Sequence, residues 1–313
     1  MPSVLATALL AAALTAAPTA APATPGASAP AEYRMVDLGT LGGESSYATA
    51  MNDGGDVVGR AQGADGTYRG FLWRHGRMID LGDFDPIDVN NRGEVVGIRD
   101  DGSGGYVWHR GVLRPLGGPP AFPVAINDRG QVVGRTDTGS ILWTNGRARP
   151  LPLTDVSDIN ERGQISGGVA VPGGFHAAVW RRARVIDLGA GPFDRSNTHA
   201  LNDRGWVIGW HFSADQFERG ILWRDGRALD VGTLGGSFTQ LRAINNRGEI
   251  LASSQATDRS ARPALWRRGV LHDLSLAGVS TDGEVVDLDA RGRIVASIRP
   301  AWGISRAVVY HPR

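Results

Sequence analysis

One phrase is spelled seven times along this chain. A short apolar run leads into Asn, a turn ends three residues later in Gly, and an apolar strand follows. An aromatic residue then closes a further strand, and a basic-Gly hairpin returns toward Asp-Leu-Gly. The clearest copy reads Ala125-Ile126-Asn127-Asp128-Arg129-Gly130-Gln131-Val132-Val133-Gly134, then Ile141-Leu142-Trp143. The turn residue recurs as Asn52, Asn90, Asn127, Asn160, Asn202 and Asn245, with Asp289 in the seventh place. The aromatic recurs as Trp73, Trp108, Trp143, Trp180, Trp223, Trp266 and finally Tyr310. A unit of about 35 to 44 residues cannot bury a core of its own, so its copies must stack or close into a ring. The chain's 44 glycines, about twice the usual share, fit an array of tight hairpins.

The pattern of residues 118–152 predicts four strands. Asn127 opens a four-residue turn that its side chain can cap, and Gly130 accepts the positive φ that ends it. Asn145-Gly146 marks a second hairpin. Four antiparallel strands in about 40 residues make one propeller blade. The chain ends decide the closure. Tyr33-Arg34-Met35-Val36-Asp37-Leu38-Gly39 is an orphan fourth strand, matching Arg77-Met78-Ile79-Asp80-Leu81-Gly82, while the seventh repeat stops after Ala307-Val308-Val309-Tyr310. The expectation is therefore an all-β, seven-bladed β-propeller of four-stranded antiparallel blades over residues 32–313, closed by the N-terminal strand pairing into the last blade. An open solenoid would not leave complementary missing strands. The repeated Trp is expected to pack between neighbouring blades.

Asp37-Leu38-Gly39-Thr40-Leu41-Gly42-Gly43, followed by Ser45, Ala48, Asn52, Gly55 and Val57-Val58-Gly59, resembles the extracellular HAF-family repeat. A second copy is Asp230-Val231-Gly232-Thr233-Leu234-Gly235-Gly236 with Asn245. The tripeptide that precedes the family's Trp survives in part as His176-Ala177-Ala178-Val179-Trp180, and elsewhere reads Arg69-Gly70-Phe71 or Arg219-Gly220-Ile221. The resemblance spans about residues 33 to 313. It implies secretion and a propeller-like fold, and lends no catalytic residues.

Residues 1–31 are different material. Val4 to Ala17 is an Ala/Leu stretch, followed by uncharged Pro-, Ala- and Thr-rich sequence with small-x-small triplets. This is the layout of a secretory signal and a flexible spacer, so the expected location is extracellular. There is no Cys, which excludes disulfides, thiolate metal sites and a lipoprotein anchor. The net charge of +1 supplies no overall drive toward nucleic acid or an anionic membrane. No insertion into a membrane is expected once the signal is removed, and a monomer is expected.

Residues shared by all repeats serve the scaffold, so a site is sought where the repeat is broken. In a four-stranded blade the Asn-to-Gly turns and the basic hairpins share one face, which we call the turn face. The variable links share the other, the loop face, and variable loops on a rigid scaffold are the usual place for binding. Three residues before each turn Asn, His199 and Arg242 stand among Thr49, Ile87, Val124, Ser157 and Val286; one residue later, Asp88, Asp158 and Asp287 alternate with alanines. Those carboxylates could bind a cation, or simply accept bonds from neighbouring backbone. Blade five adds Trp206, Trp210, His211 and Phe212, with Asp215 and Glu218; an aromatic platform beside His and acids suits stacking or acid–base work. No motif for a cofactor or metal is present. The leading expectation is a non-enzymatic propeller binding a glycan, peptide or protein through Trp210, His211, Phe212, His199 and Arg242. The alternative is a lyase or hydrolase using His199 and Arg242 with Asp88, Asp158 or Asp287 at the channel mouth. The test between them is whether these groups converge on one open pocket.

Overall fold

The computed structural model describes residues 33–99, 104–191, 195–212, 217–274, 276, 284–301 and 303–313; the leader of residues 1–31 lies outside them. The described residues form seven four-stranded antiparallel sheets. Blade one runs outward through Gly42–Met51, Val57–Gly63, Tyr68–Arg74 and Arg77–Gly82. Blades two to six repeat that order. Blade seven takes three strands from the C-terminal part, Glu284–Leu288, Ile294–Ala301 and Ile304–Pro312, and its outermost from the N-terminal part, Tyr33–Asp37. The register of that closing pair runs from Tyr33 opposite Pro312 to Asp37 opposite Val308. Innermost strands of neighbouring blades touch all the way round, closing a ring about a central channel. The structure is thus a seven-bladed β-propeller with the closure that the two incomplete ends imply.

The core lies between blades rather than within them. Each of seven buried clusters joins one blade to the next. The repeated aromatic sits at each seam: Trp180 packs with Val133 and Leu142 of blade three, and Tyr310 packs with Leu251 and Leu265 of blade six. A four-stranded sheet has two faces to cover, and flanking blades cover both.

Two local devices recur. Six blades join their outer strands through two-residue hairpins with positive φ at both positions, as at His75-Gly76 (φ 50 and 79), the geometry that matches strand twist. Every innermost strand also carries a bulge at the same place, where the register skips one residue; those of blades one and six have a second shift nearer their start. The skipped residues are Thr49, Ile87, Val124, Ser157, His199, Arg242 and Val286. A bulge bends the strand and re-aims one side chain, so this ring of positions is where the repeat can vary without disturbing the ladder.

The turn Asn does more than cap its turn. In the third blade, Asn127 Oδ1 accepts the Arg129 and Gln131 N–H groups, while its Nδ2 donates to the Asn160 carbonyl of the next blade at 3.0 Å. The same reach links Asn52 to Asn90, Asn90 to Asn127, Asn160 to Asn202, Asn202 to Asn245 and Asn245 to Asp289, at 2.8 to 3.0 Å. The Asp289 side chain has no N–H to donate. At that seam Arg293 takes over, pairing with Asp289 and donating to the Asp53 carbonyl of blade one at 2.9 Å.

Candidate functional site

The bulge brings His199 and Arg242 together on adjacent blades. His199 belongs to Ser196–Leu201 and Arg242 to Gly235–Ile244, the innermost strands of blades five and six. The His199 ring lies beside the Arg242 backbone, and its pKa is lowered, first by desolvation and then by the Arg242 charge, against the pull of that backbone. The imidazole is therefore neutral at pH 7. Arg242 is the hub of a polar chain. Its Nη1 lies 3.2 Å from Glu284 Oε1 of blade seven, and its Nη2 donates to Gln240 Oε1 at 3.3 Å. Gln240 Nε2 in turn donates to Glu218 Oε2 at 3.3 Å. Burial raises the Glu218 pKa against the opposing pull of Gln240 and Arg242. Glu218 and Glu284 begin their strands, so the chain sits toward the loop face across three blades. Arg242 Nε is buried and has no hydrogen-bond partner among the described residues.

The aspartates form a separate layer. Asp88 accepts the Val89 and Ile126 N–H groups, each at 2.8 Å. Asp158 accepts those of Ile159 and Leu201, and Asp287 those of Leu288 and Met51, at 2.7 to 3.0 Å. Each carboxylate thus ties its blade to the inner strand of the next, as the backbone-bonding reading has it. Each carboxylate is enclosed by protein. Desolvation raises all three pKa values despite two N–H donors apiece, to about 7 for Asp158 and Asp287, where the charges of nearby aspartates add to it. Among the described residues, neither His199 nor Arg242 bonds to any of the three. Nor do three His, Asp or Glu side chains gather as metal ligands among those residues. The catalytic constellation of Asp88, Asp158 or Asp287 with His199 and Arg242 is therefore not joined by hydrogen bonds.

Blade five also divides. Trp210 and Phe212 stack edge to face, 5.2 Å between centroids, and Phe175 of blade four adds a ring 6.1 Å from Trp210. His211 points to the other side of the strand by alternation, half-buried against the Ala190 backbone, and burial lowers its pKa. Trp206 stands at the turn-face end of the same strand, under the guanidiniums of Arg204 and Arg224. The expected platform thus keeps Trp210 and Phe212, turns His211 away and excludes Trp206; Asp215 lies outside the described residues. Sequence reasoning missed Gln240 and Glu284, the links of the Arg242 chain, because each resembles an ordinary solvated strand end. It also missed the wider aromatic surface. Among the described residues, the exposed large aromatics are Tyr47, Tyr68, Phe122 and Phe217, with Phe122 59% exposed, and all four stand toward the loop-face ends of their strands.

No family model matches this chain, and no curated protein sequence is significantly similar to it. Solved structures share its shape. A puromycin-hydrolysing peptidase of Mycobacterium tuberculosis matches 90% of this chain with a TM-score of 0.59 at 14% identity. This chain spans only 51% of that peptidase. The WD40 β-propeller domain of Doa1 matches 90% of this chain and 98% of its own length, with a TM-score of 0.54 at 14% identity. YCF48 bound to D1 peptide matches 92% of this chain and 97% of its own, with a TM-score of 0.54 at 9% identity. At such identities the likeness is one of fold.

Proposed function

We propose that this protein is an exported binding propeller whose loop face holds an extended peptide or a segment of a protein. The observation that carries this reading is the placement of Tyr47, Tyr68, Phe122 and Phe217, all exposed and all toward that one face. Aromatic side chains left in water on a rigid rim, around a partly buried polar chain, have the make-up of a recognition surface. The Arg242 guanidinium suits a main-chain carbonyl through its Nη groups, and the Glu218 and Glu284 carboxylates suit peptide N–H groups. A propeller of like fold carries a peptide, which supports the class of ligand. The Ala/Leu leader supports export, and the Asp-Leu-Gly-Thr-Leu-Gly-Gly phrases support placing the chain with HAF-type repeats.

The test is a binding screen of the purified chain against peptide and glycan arrays, followed by Phe122→Ala and Arg242→Ala. The expected result is a peptide hit weakened about tenfold or more by each substitution, in the range of interface hot spots. A hit indifferent to both would reject the face, and a glycan-only profile would reject the ligand class. The hydrolase or lyase reading rests on the neutral His199 imidazole beside Arg242. Turnover abolished by His199→Ala would favour it.

A further inference from the structure

The net charge of +1 conceals an uneven distribution over the two faces. The third residue of the inner turn is Arg92, Arg129, Arg162, Arg204, Arg247 and Arg291 in blades two to seven, and all six are exposed. The acids of the same turns are spent differently. Glu161 accepts the Asp128 N–H at 2.8 Å, Asp203 accepts the Glu161 N–H at 2.9 Å, and Asn246 accepts the Asp203 N–H at 2.8 Å. Carboxylates are thus drawn against neighbouring turns; of the guanidiniums, Arg92 and Arg247 pair with Glu94 and Glu249, and Arg204 lies over Trp206. Among the described residues, Arg129, Arg162 and Arg291 make no ion pair. The outer hairpins extend the cationic surface with Arg74 and Arg77, Arg181 and Arg184, and Arg224 and Arg227 at their strand ends. On the opposite face the outer strands close on Asp37, Asp80, Asp187 and Asp230. A cleft of about 390 Å³ between blades two and three also opens on the arginine face. Arg92, Arg114 and Arg129 converge there beside an apolar wall of Val107, Leu116 and Trp143.

Shape decides what such a face can meet. Uniform four-residue turns and two-residue hairpins leave no tall loop on it, and the six arginines lie on a ring interrupted at blade one, where Gly54 takes the place. A linear polyanion could follow only an arc of that ring, whereas a planar anionic layer meets the whole of it. We infer that the turn face docks on the anionic headgroup layer of a lipid bilayer. Exposed guanidiniums bond headgroup phosphates, and the cleft between blades two and three admits one headgroup. Attachment is peripheral and electrostatic, so it weakens with salt. This inference stands apart from the peptide reading, since it uses the other face.

The experiment is co-sedimentation of the full chain with vesicles of mixed phosphatidylglycerol and phosphatidylcholine, and with vesicles of phosphatidylcholine alone, at low and high salt. Arg129→Gln, Arg162→Gln and Arg291→Gln are combined in one variant. Arg69→Gln, Arg259→Gln and Arg299→Gln on the loop side make a control with the same change of charge. The expected result is salt-sensitive binding to anionic vesicles only, reduced at least about tenfold in the turn-face variant and little changed in the control. Equal loss in both variants, or equal binding to neutral vesicles, overturns the assignment. So does capture of soluble polyphosphate without any vesicle binding. Thermal melts of both variants show that the fold is retained.

Discussion

Asn127 shows how much one recurring residue carries. Its carboxamide is buried, caps its own turn with Oδ1 and donates Nδ2 to the Asn160 carbonyl in the neighbouring blade. Asn127→Ala leaves two turn N–H groups and one carbonyl of the next blade without partners. Unmade buried bonds of this kind make the expected loss about 2–3 kcal/mol, read as a lower midpoint in chemical or thermal denaturation. Asn127→Asp keeps the acceptor and loses the donor, so it should cost less; Asp289 already holds that position in blade seven with help from Arg293. The turn role of Asn was legible in the sequence because turn chemistry is local. The inter-blade bond was not, since its partner lies a whole repeat away and leaves no mark on neighbouring residues.

At the scale of the strand, the bulge and the residue after it behave as a unit. One carries the side chain that varies from blade to blade, bonding the next inner strand where it is Thr49 or Ser157, and the other, where it is Asp, pins that blade. The unfolded chain ionises these carboxyls near 3.8, whereas Asp158 and Asp287 in the ring titrate at about 7. Between those values the native state holds protons that the unfolded chain has released. Stability therefore falls as pH rises through that window and levels off above it. The midpoint of thermal unfolding should be higher by several degrees at pH 5 than at pH 8, and a variant carrying Asp158→Ala and Asp287→Ala should flatten that difference. A profile that rises with pH in the parent chain would contradict the assignment. Strand geometry also explains what the sequence could not sort in blade five. Trp206 and Trp210 are four residues apart, which on a strand is about 13 Å, enough to send one to each face. Alternation then separates His211 from Trp210 and Phe212.

For the whole molecule, blade number and closure were legible because periodicity and complementary chain ends are global properties of the sequence. The division of charge was not, because a net value sums over two faces that never meet. The closing pair between Tyr33–Asp37 and Ile304–Pro312 is the joint on which the ring depends. Deleting residues 33–37 strips the outer strand from blade seven and uncovers the Tyr33–Tyr310 contact. Thermal unfolding should then fall by roughly 10 °C, the effect of losing a few kcal/mol in a chain of this size, with greater aggregation through the bared edge. The same joint sets an order of events in the life of the chain. Its first strand is synthesised before every other strand of the ring and is the last to find its place, because its partner is the last of those strands to be made. Until then the newborn polypeptide has two unmatched edges, and each completed blade raises the local concentration of one near the other. Completion of the ring thus waits until all seven blades have been made, and whatever shields Tyr33–Asp37 in the interval governs the yield of folded protein.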